Sequence, residues 1–331
     1  MMLDLARGHY TVDDILAYAD LCYIYRMNTL HLHFADGPSP DMYKLPSDRF
    51  PLLTSSSGYS KDDIRRIREY LSERGITLVP EIEVPAHCEA LPTRYPKLFG
   101  THRGMICPGH KGVYESVHAL IDEVCGLFPD SPYIHFGCDE ARYEDWDDCA
   151  ECREFMREKG LKSSAELYTY FAADTARYIL SLGRTPVVWE GFGDERTSLL
   201  PKELIVMVYQ STYFDAKRLT DAGFRVVNDS WQPLYIVPSR PKFWRPEDIY
   251  NVRYNEWLLE DAVDNSEKII VPDRKMVLGS ELCVWESAGK AADFGITSRN
   301  LPALAERTWN YESPNGYQTF TERFRVLSGL I

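Results

Sequence analysis

The chain has 331 residues, 44% of them apolar, and a net charge of −13 with a pI near 5.1. That apolar content excludes disorder, and the acidic balance, with no cluster of Lys and Arg to offset it, excludes a nucleic-acid partner. No run of roughly 18 apolar residues exists to span a membrane.

In chain order, Met2–Leu5 is a short apolar start, and Thr11 and Asp13 open a helical run to about Met27. Asn28–Ala35 alternates as a second strand, and a Pro- and Ser-rich loop follows. Ser60 then caps a charged amphipathic helix to Arg74, with Gly75 as its stop. Ile76–Ile82 is the third strand, Val113–Phe128 a helix, and Ile134–Gly137 the fourth strand, followed by a long helical stretch to about Leu182. Pro186–Trp189, Leu204–Tyr209, helix Tyr213–Ala222 and Phe224–Asn228 come next. Met276–Cys283 is the eighth strand and Leu301–Asn310 its helix.

Strands alternating with helices predict an α/β fold, a parallel (β/α)8 barrel in one domain over 1–331. The barrel would fill about 1–311 and a helical tail about 312–331. The open doubly wound alternative lacks a Gly-rich strand-to-helix turn. Residues 229–274, with Trp231, Trp244 and Trp257, are too long for an ordinary connection and predict a flap or insertion between strands seven and eight.

A barrel puts its functional groups just after each strand. Asp139 and Glu140 follow the fourth strand directly, and adjacent acids in unlike environments can divide proton-donor and anionic roles. Alone, such a pair is more often a solvated turn. Other strand ends carry His31, His33 and Asp36, then Glu81, Glu83 and His87, then Trp189-Glu190, Tyr209-Gln210 and Trp285-Glu286. Rings beside carboxylates suit a sugar pocket, although each Trp singly is more often core packing. His31 and His33 share a strand face and could ligate a metal. With every histidine at or before position 135, they read instead as core or supporting residues.

The eight cysteines (22, 88, 107, 125, 138, 149, 152 and 283) are scattered, and no charged-then-apolar leader begins the chain, which points to a reduced, cytoplasmic protein. Cys149 and Cys152 make one Cys-X-X-Cys on a predicted helix. No second pair follows at zinc-site spacing, so they read as ordinary helix cysteines.

Seven blocks in order resemble glycoside hydrolase family 20, the β-N-acetylhexosaminidases. They are Met-Leu-Asp-Leu-Ala-Arg at 2–7, Met-Asn-Thr-Leu-His-Leu-His-Phe-Ala-Asp at 27–36, Ile-Thr-Leu-Val-Pro-Glu-Ile-Glu-Val-Pro-Ala-His at 76–87, His-Phe-Gly-Cys-Asp-Glu at 135–140, Val-Val-Trp-Glu at 187–190, Gly-Ser-Glu-Leu-Cys-Val-Trp at 279–285 and Pro-Ala-Leu-Ala-Glu-Arg-Thr-Trp at 302–309. The resemblance implies release of terminal β-linked GlcNAc or GalNAc by a retaining, substrate-assisted route through an oxazolinium intermediate, with no metal or cofactor. It implies that Asp139 accepts the acetamido N–H and that Glu140 is the general acid and base. Asp36 and His87 become a relay behind the acid. Trp189, Tyr209 and Trp285 wall the sugar, and Tyr235 aims the acetamido oxygen, with Glu286 as the eighth-strand acid.

The departures concern the outer hydroxyls. The chain begins without the family's small leading domain and without the Arg that usually precedes the first strand. Asp36-Gly37-Pro38-Ser39 replaces an acid–acid–Gln loop, Val237 stands where an Asp is usual, Glu286 follows its Trp by one residue instead of two, and Cys138 replaces a Gly. Two other readings follow: an amino-sugar-binding barrel with weak or no turnover, and a lacto-N-biosidase-like enzyme. The gaps also leave room for a homodimer in which a neighbour completes the pocket.

Overall fold

The computed structural model describes residues 1–239, 245–258, 268–312 and 315–328. Seven parallel strands follow one another in space: β1 (Met2–Asp4), β2 (Thr29–His33), β3 (Thr77–Val84), β4 (Tyr133–Gly137), β5 (Thr185–Trp189), β6 (Ile205–Val208) and β7 (Arg225–Asn228). After β7 come β8 (Tyr235–Ile236), the antiparallel pair β9 (Glu256–Leu258) and β10 (Lys268–Ile270), then β11 (Val277–Ser280) and β12 (Cys283–Val284). The eighth barrel strand is broken in two. β11 pairs with β7 and β12 with β1, and only Glu281 and Leu282 lie between them, so the sheet closes on itself through that bend. The expected (β/α)8 barrel is what forms.

Side chains alternate across each strand. Leu30, Leu32, Ile82, Val84, Val188, Val206 and Val208 face the surrounding helices, while Met2, Val187, Trp189, Ile205, Met207 and Cys283 form a separate interior cluster. The same alternation sends His31, His33, Glu81, Glu83 and His135 inward, all of them buried. One half of the barrel interior, from β2 to β4, is thus ionisable, and the other half, from β5 to β7, is apolar.

Helices begin where capping chemistry dictates. Thr11 and Ser60 each make a capping box with an Asp three residues on, opening Val12–Ile24 and Lys61–Glu73. Three expectations need correction. The stretch running to Leu182 is not one helix: Gly160, left-handed at φ 66°, ends Ala150–Lys159, and the Ser163 side chain caps Ser164–Ser181. The helix expected at Tyr213 begins at Ala216, capped by Asp215. The last barrel helix begins at Lys290 instead of Leu301, because buried Asp293 accepts the Tyr10 hydroxyl and anchors its first turn.

The insertion after β7 is structured but is not simply a flap. Trp257 is core, its indole N–H donating to the Val208 carbonyl at 2.9 Å, and Trp244 lies outside the described residues. The tail forms helix Tyr317–Ser328, whose Phe320 ring packs 5.0 Å from Tyr250. No described helix is long and apolar enough to cross a membrane.

Candidate active site

At the C-terminal mouth of the barrel lies a cavity of about 260 Å³ whose lining includes Arg7, Asp36, His87, Asp139, Glu140 and Trp285. Its size suits one sugar unit better than a long chain. All nine residues singled out from the sequence line it: Asp36, His87, Asp139, Glu140, Trp189, Tyr209, Tyr235, Trp285 and Glu286. Glu83 and Gln210, two of the other strand-end residues, join them, and so do Arg7 and Trp231, which no strand end pointed to. The signal for Arg7 was present, since it closes the first matching block, but a guanidinium three residues beyond a strand has no distinguishing mark in sequence.

The chain turns sharply to present the two acids. Gly137, Cys138 and Glu140 all have positive φ, at 68°, 69° and 46°. A Cβ on Gly137 would lie 1.7 Å from Glu83 Oε2, so that position needs glycine for space as well as for conformation. Cys138 takes the same backbone region, which is why a glycine is the easier residue there. His87 and Glu286, at φ 50° and 51°, are also left-handed. Such conformations gather at sites where the surroundings over-determine the backbone.

From Glu140 a chain of hydrogen bonds runs down the barrel axis. His87 Nε2 lies 3.2 Å from Glu140 Oε2, and His87 Nδ1 lies 3.1 Å from Asp36 Oδ1. Asp36 Oδ2 meets His33 Nε2 at 2.7 Å and the Arg7 guanidinium at 2.7 Å. His33 Nδ1 then reaches Glu81 at 2.5 Å, and Glu81 also contacts His135 at 3.0 Å, His31 at 3.1 Å and the Trp189 indole N–H. His31 and His33 are therefore members of this network.

The network sets the charges. Burial would lower the His87 pKa, but Asp139, Asp36 and Glu140 outweigh it and raise it to about 11. Glu140 is held below its ordinary value, first by its hydrogen bond from His87. Burial pushes Asp139 up to about 6 against the lowering influence of His87. Asp36 is buried, yet its bonds from His33 and His87 hold it well below the carboxylate range. Asp139 keeps Oδ1 buried and without a hydrogen-bond donor among the described residues, an arrangement that calls for a donor from a ligand.

Aromatic rings form the opposite wall. Trp189 stands edge-on to Tyr209 at 6.1 Å, Tyr209 stacks on Tyr235 at 6.4 Å, and Trp285 lies 5.8 Å from Trp189. The Tyr209 hydroxyl points at Glu140 Oε1 from 3.5 Å. Arg7 stands over the Trp285 ring, 5.4 Å from its centroid, and Val237 gives the lining an apolar patch. Glu190 turns away from the cavity. Its carboxylate accepts the Ser211 and Thr212 backbone N–H groups at 2.9 and 3.1 Å and so holds the loop after β6.

The chain is similar to known proteins in sequence and in fold. The chain is 26% identical over 348 residues to the β-hexosaminidase subunit beta of Mus musculus, a match covering 98% of this chain and 61% of that protein. A β-hexosaminidase of Porphyromonas gingivalis is 29% identical over 214 residues, 57% of this chain and 27% of its own length. The chain thus spans less than two thirds of these relatives. Among solved structures, the Flavobacterium johnsoniae chitobiase superposes with a TM-score of 0.81 at 27% identity, over 99% of this chain and half of that one. The Vibrio harveyi exo-β-N-acetylglucosaminidase in complex with N-acetylglucosamine superposes at 0.82 and 23% identity, over 98% and 56%. With the family model for the glycosyl hydrolase family 20 catalytic domain matching residues 1–312, the chain belongs to that family.

Proposed function

We propose that this protein removes terminal β-linked N-acetylhexosamine from glycans by a retaining, substrate-assisted reaction. The carrying observation is the hydrogen-bonded series Glu140–His87–Asp36 beside Asp139, whose buried Oδ1 lacks a donor. An acetamido N–H would supply that donor. Asp139 would then hold the acetamide so that its carbonyl oxygen attacks the anomeric carbon, and would balance the positive charge that develops on the ring. Tyr235 would aim the acetamido oxygen, and Trp189, Tyr209 and Trp285 would pack the sugar. Arg7 and Glu286 are the charged groups left to bind outer hydroxyls.

Glu140 is the general acid in this scheme. In the free protein the hydrogen bond from His87 favours its anion, so the donated proton rests on the imidazole. A substrate that fills the cavity strips water from Glu140, which favours its neutral form and draws the proton across the 3.2 Å hydrogen bond. Glu140 then protonates the leaving oxygen and afterwards takes a proton from the incoming water.

The test is hydrolysis of chromogenic β-GlcNAc and β-GalNAc glycosides by wild type, Glu140→Gln and Asp139→Asn, with a thiazoline mimic of the oxazolinium as inhibitor. Turnover by wild type, its loss in both variants and tight inhibition support the scheme. A wild type that binds GlcNAc without turning it over favours the sugar-binding barrel, a reading to which apolar Val237 in the lining lends weight. Hydrolysis without inhibition removes the substrate-assisted step. The scattered thiols support a cytoplasmic location, which fractionation would test, and sedimentation would test the homodimer.

A further inference from the structure

Outside the cavity, three thiols that are far apart in sequence meet. Cys107 Sγ lies 3.5 Å from Cys149 Sγ and 3.4 Å from Cys152 Sγ, and all three sulfurs fall within 4.8 Å of one another. Around a tetrahedral zinc with Zn–S bonds of about 2.3 Å, neighbouring sulfurs stand about 3.8 Å apart. A disulfide needs about 2.05 Å and could use only two of the three. We propose that Cys107, Cys149 and Cys152 form a three-thiolate zinc site.

The chain is built for this geometry. Cys149-X-X-Cys152 is a short ligand pair of the kind structural zinc uses, and Cys107 joins it across 42 and 45 residues of sequence. The turn carrying Cys107 lies flat on the start of helix Ala150–Lys159, where a Cβ on Gly109 would meet the Cys152 backbone nitrogen at 2.4 Å. Behind it, a Cβ on Gly100 would strike Cys107 Cβ at 2.7 Å and His110 Cβ at 2.8 Å. Two glycines therefore allow the approach. Cys149 is the N-cap residue of that helix and Cys152 sits in its first turn, where the helix dipole favours thiolates.

His110 stands on the same turn as Cys107 and is held away from the thiols by other partners. Its Nε2 lies 3.1 Å from the Lys97 carbonyl, which can only accept, so Nε2 carries the hydrogen. Nδ1 faces the Glu151 carboxylate at 3.2 Å, so His110 in its protonated form donates to both partners and is itself the cation beside Glu151. Glu151 also lies 3.8 Å from Cys107 Sγ, placing a second negative group at the same point.

The site joins two segments that lead out of the catalytic mouth. One runs from His87 to Cys107, with the Ile106 N–H donating to the Pro85 carbonyl at 3.1 Å, and the other runs from Glu140 to Cys149. The metal would fasten the loops after β3 and β4 to one another. It takes no part in the hydrolysis proposed above, and its test does not depend on that reading.

The full-length protein is reduced, incubated with zinc, desalted and measured by elemental mass spectrometry. Equimolar zinc is expected in wild type and in the Cys125→Ser control, falling to background in Cys107→Ser and Cys152→Ser. Cobalt in place of zinc should give an intense thiolate-to-metal charge-transfer band in wild type. Reduced wild type that retains no more zinc than Cys107→Ser overturns the site. So does a cobalt spectrum without the thiolate band, a readout that stands even where the variants fail to fold.

Discussion

Replacing His87 with Asn tests the relay most directly. Asn suits the left-handed backbone at φ 50°, so the change removes the cation with little added strain. In wild type the proton required by the leaving group is shared by His87 and Glu140, and the raised value of about 11 for His87 keeps it bound far above neutrality. Asp139, at about 6, must be ionised to accept an N–H, so activity should rise through pH 6 and then hold. In the variant the proton has to sit on Glu140 itself. A carboxyl at the ordinary glutamate value of about 4.3 is protonated in roughly one molecule in 500 at pH 7, and tenfold less often for each further pH unit. Burial offsets part of this, so a loss of about 10²-fold in kcat/KM at pH 7 is expected, within the range of general-acid contributions. The decisive quantity is the wild-type to variant ratio of kcat/KM for a poor leaving group, which should widen about tenfold per pH unit above 7. A good leaving group needs no acid, and with it the ratio should stay nearly flat. A ratio independent of pH for both substrates would refute the placement of the proton on His87.

Two further substitutions probe the surroundings. Asp36→Asn leaves Arg7 and His33 facing a neutral amide in a buried site, which should cost about 3–5 kcal/mol of stability in denaturant titrations. Because the folded pKa of Asp36 is depressed, its contribution is fully present above the unfolded value of about 3.9 and is lost as pH falls through the folded value. The gap between wild type and variant should therefore be widest near neutrality and close in acid; a gap that persists unchanged at low pH contradicts this. Gly137→Ala forces a left-handed alanine, at about 1–2 kcal/mol, and drives its methyl group into Glu83. Melting temperature and activity should fall together, because Asp139 lies two residues on, and full activity with a lowered melting temperature would show that the turn does not position the acids.

Much of the site was legible because barrel chemistry follows strand ends, and strand ends are marked by where apolar alternation stops. Asp139, Glu140, Asp36 and His87 were each found that way or through the family blocks. Arg7 and Trp231 were not, because a residue some distance past a strand, or inside an insertion, shows no periodic signal of facing inward. Glu190 had the same marks as the pocket residues and yet serves a loop. Helix limits failed where one residue decides them, as at Gly160 and Asp293.

By itself the sequence determined the order of strands and helices, since these follow from local periodicity and capping at Thr11 and Ser60. It also determined which acids share a strand end, a matter of adjacency alone. Only the tertiary structure decided the charges those acids carry, because they depend on burial and on partners far off in sequence: Asp36 and Asp139, 103 residues apart, meet on either side of His87 through the curl of the sheet. The meeting of Cys107 with Cys149 and Cys152 is of the same kind. Contacts across 42 and 45 residues arise from two loops leaving neighbouring strands, and no local pattern encodes that approach.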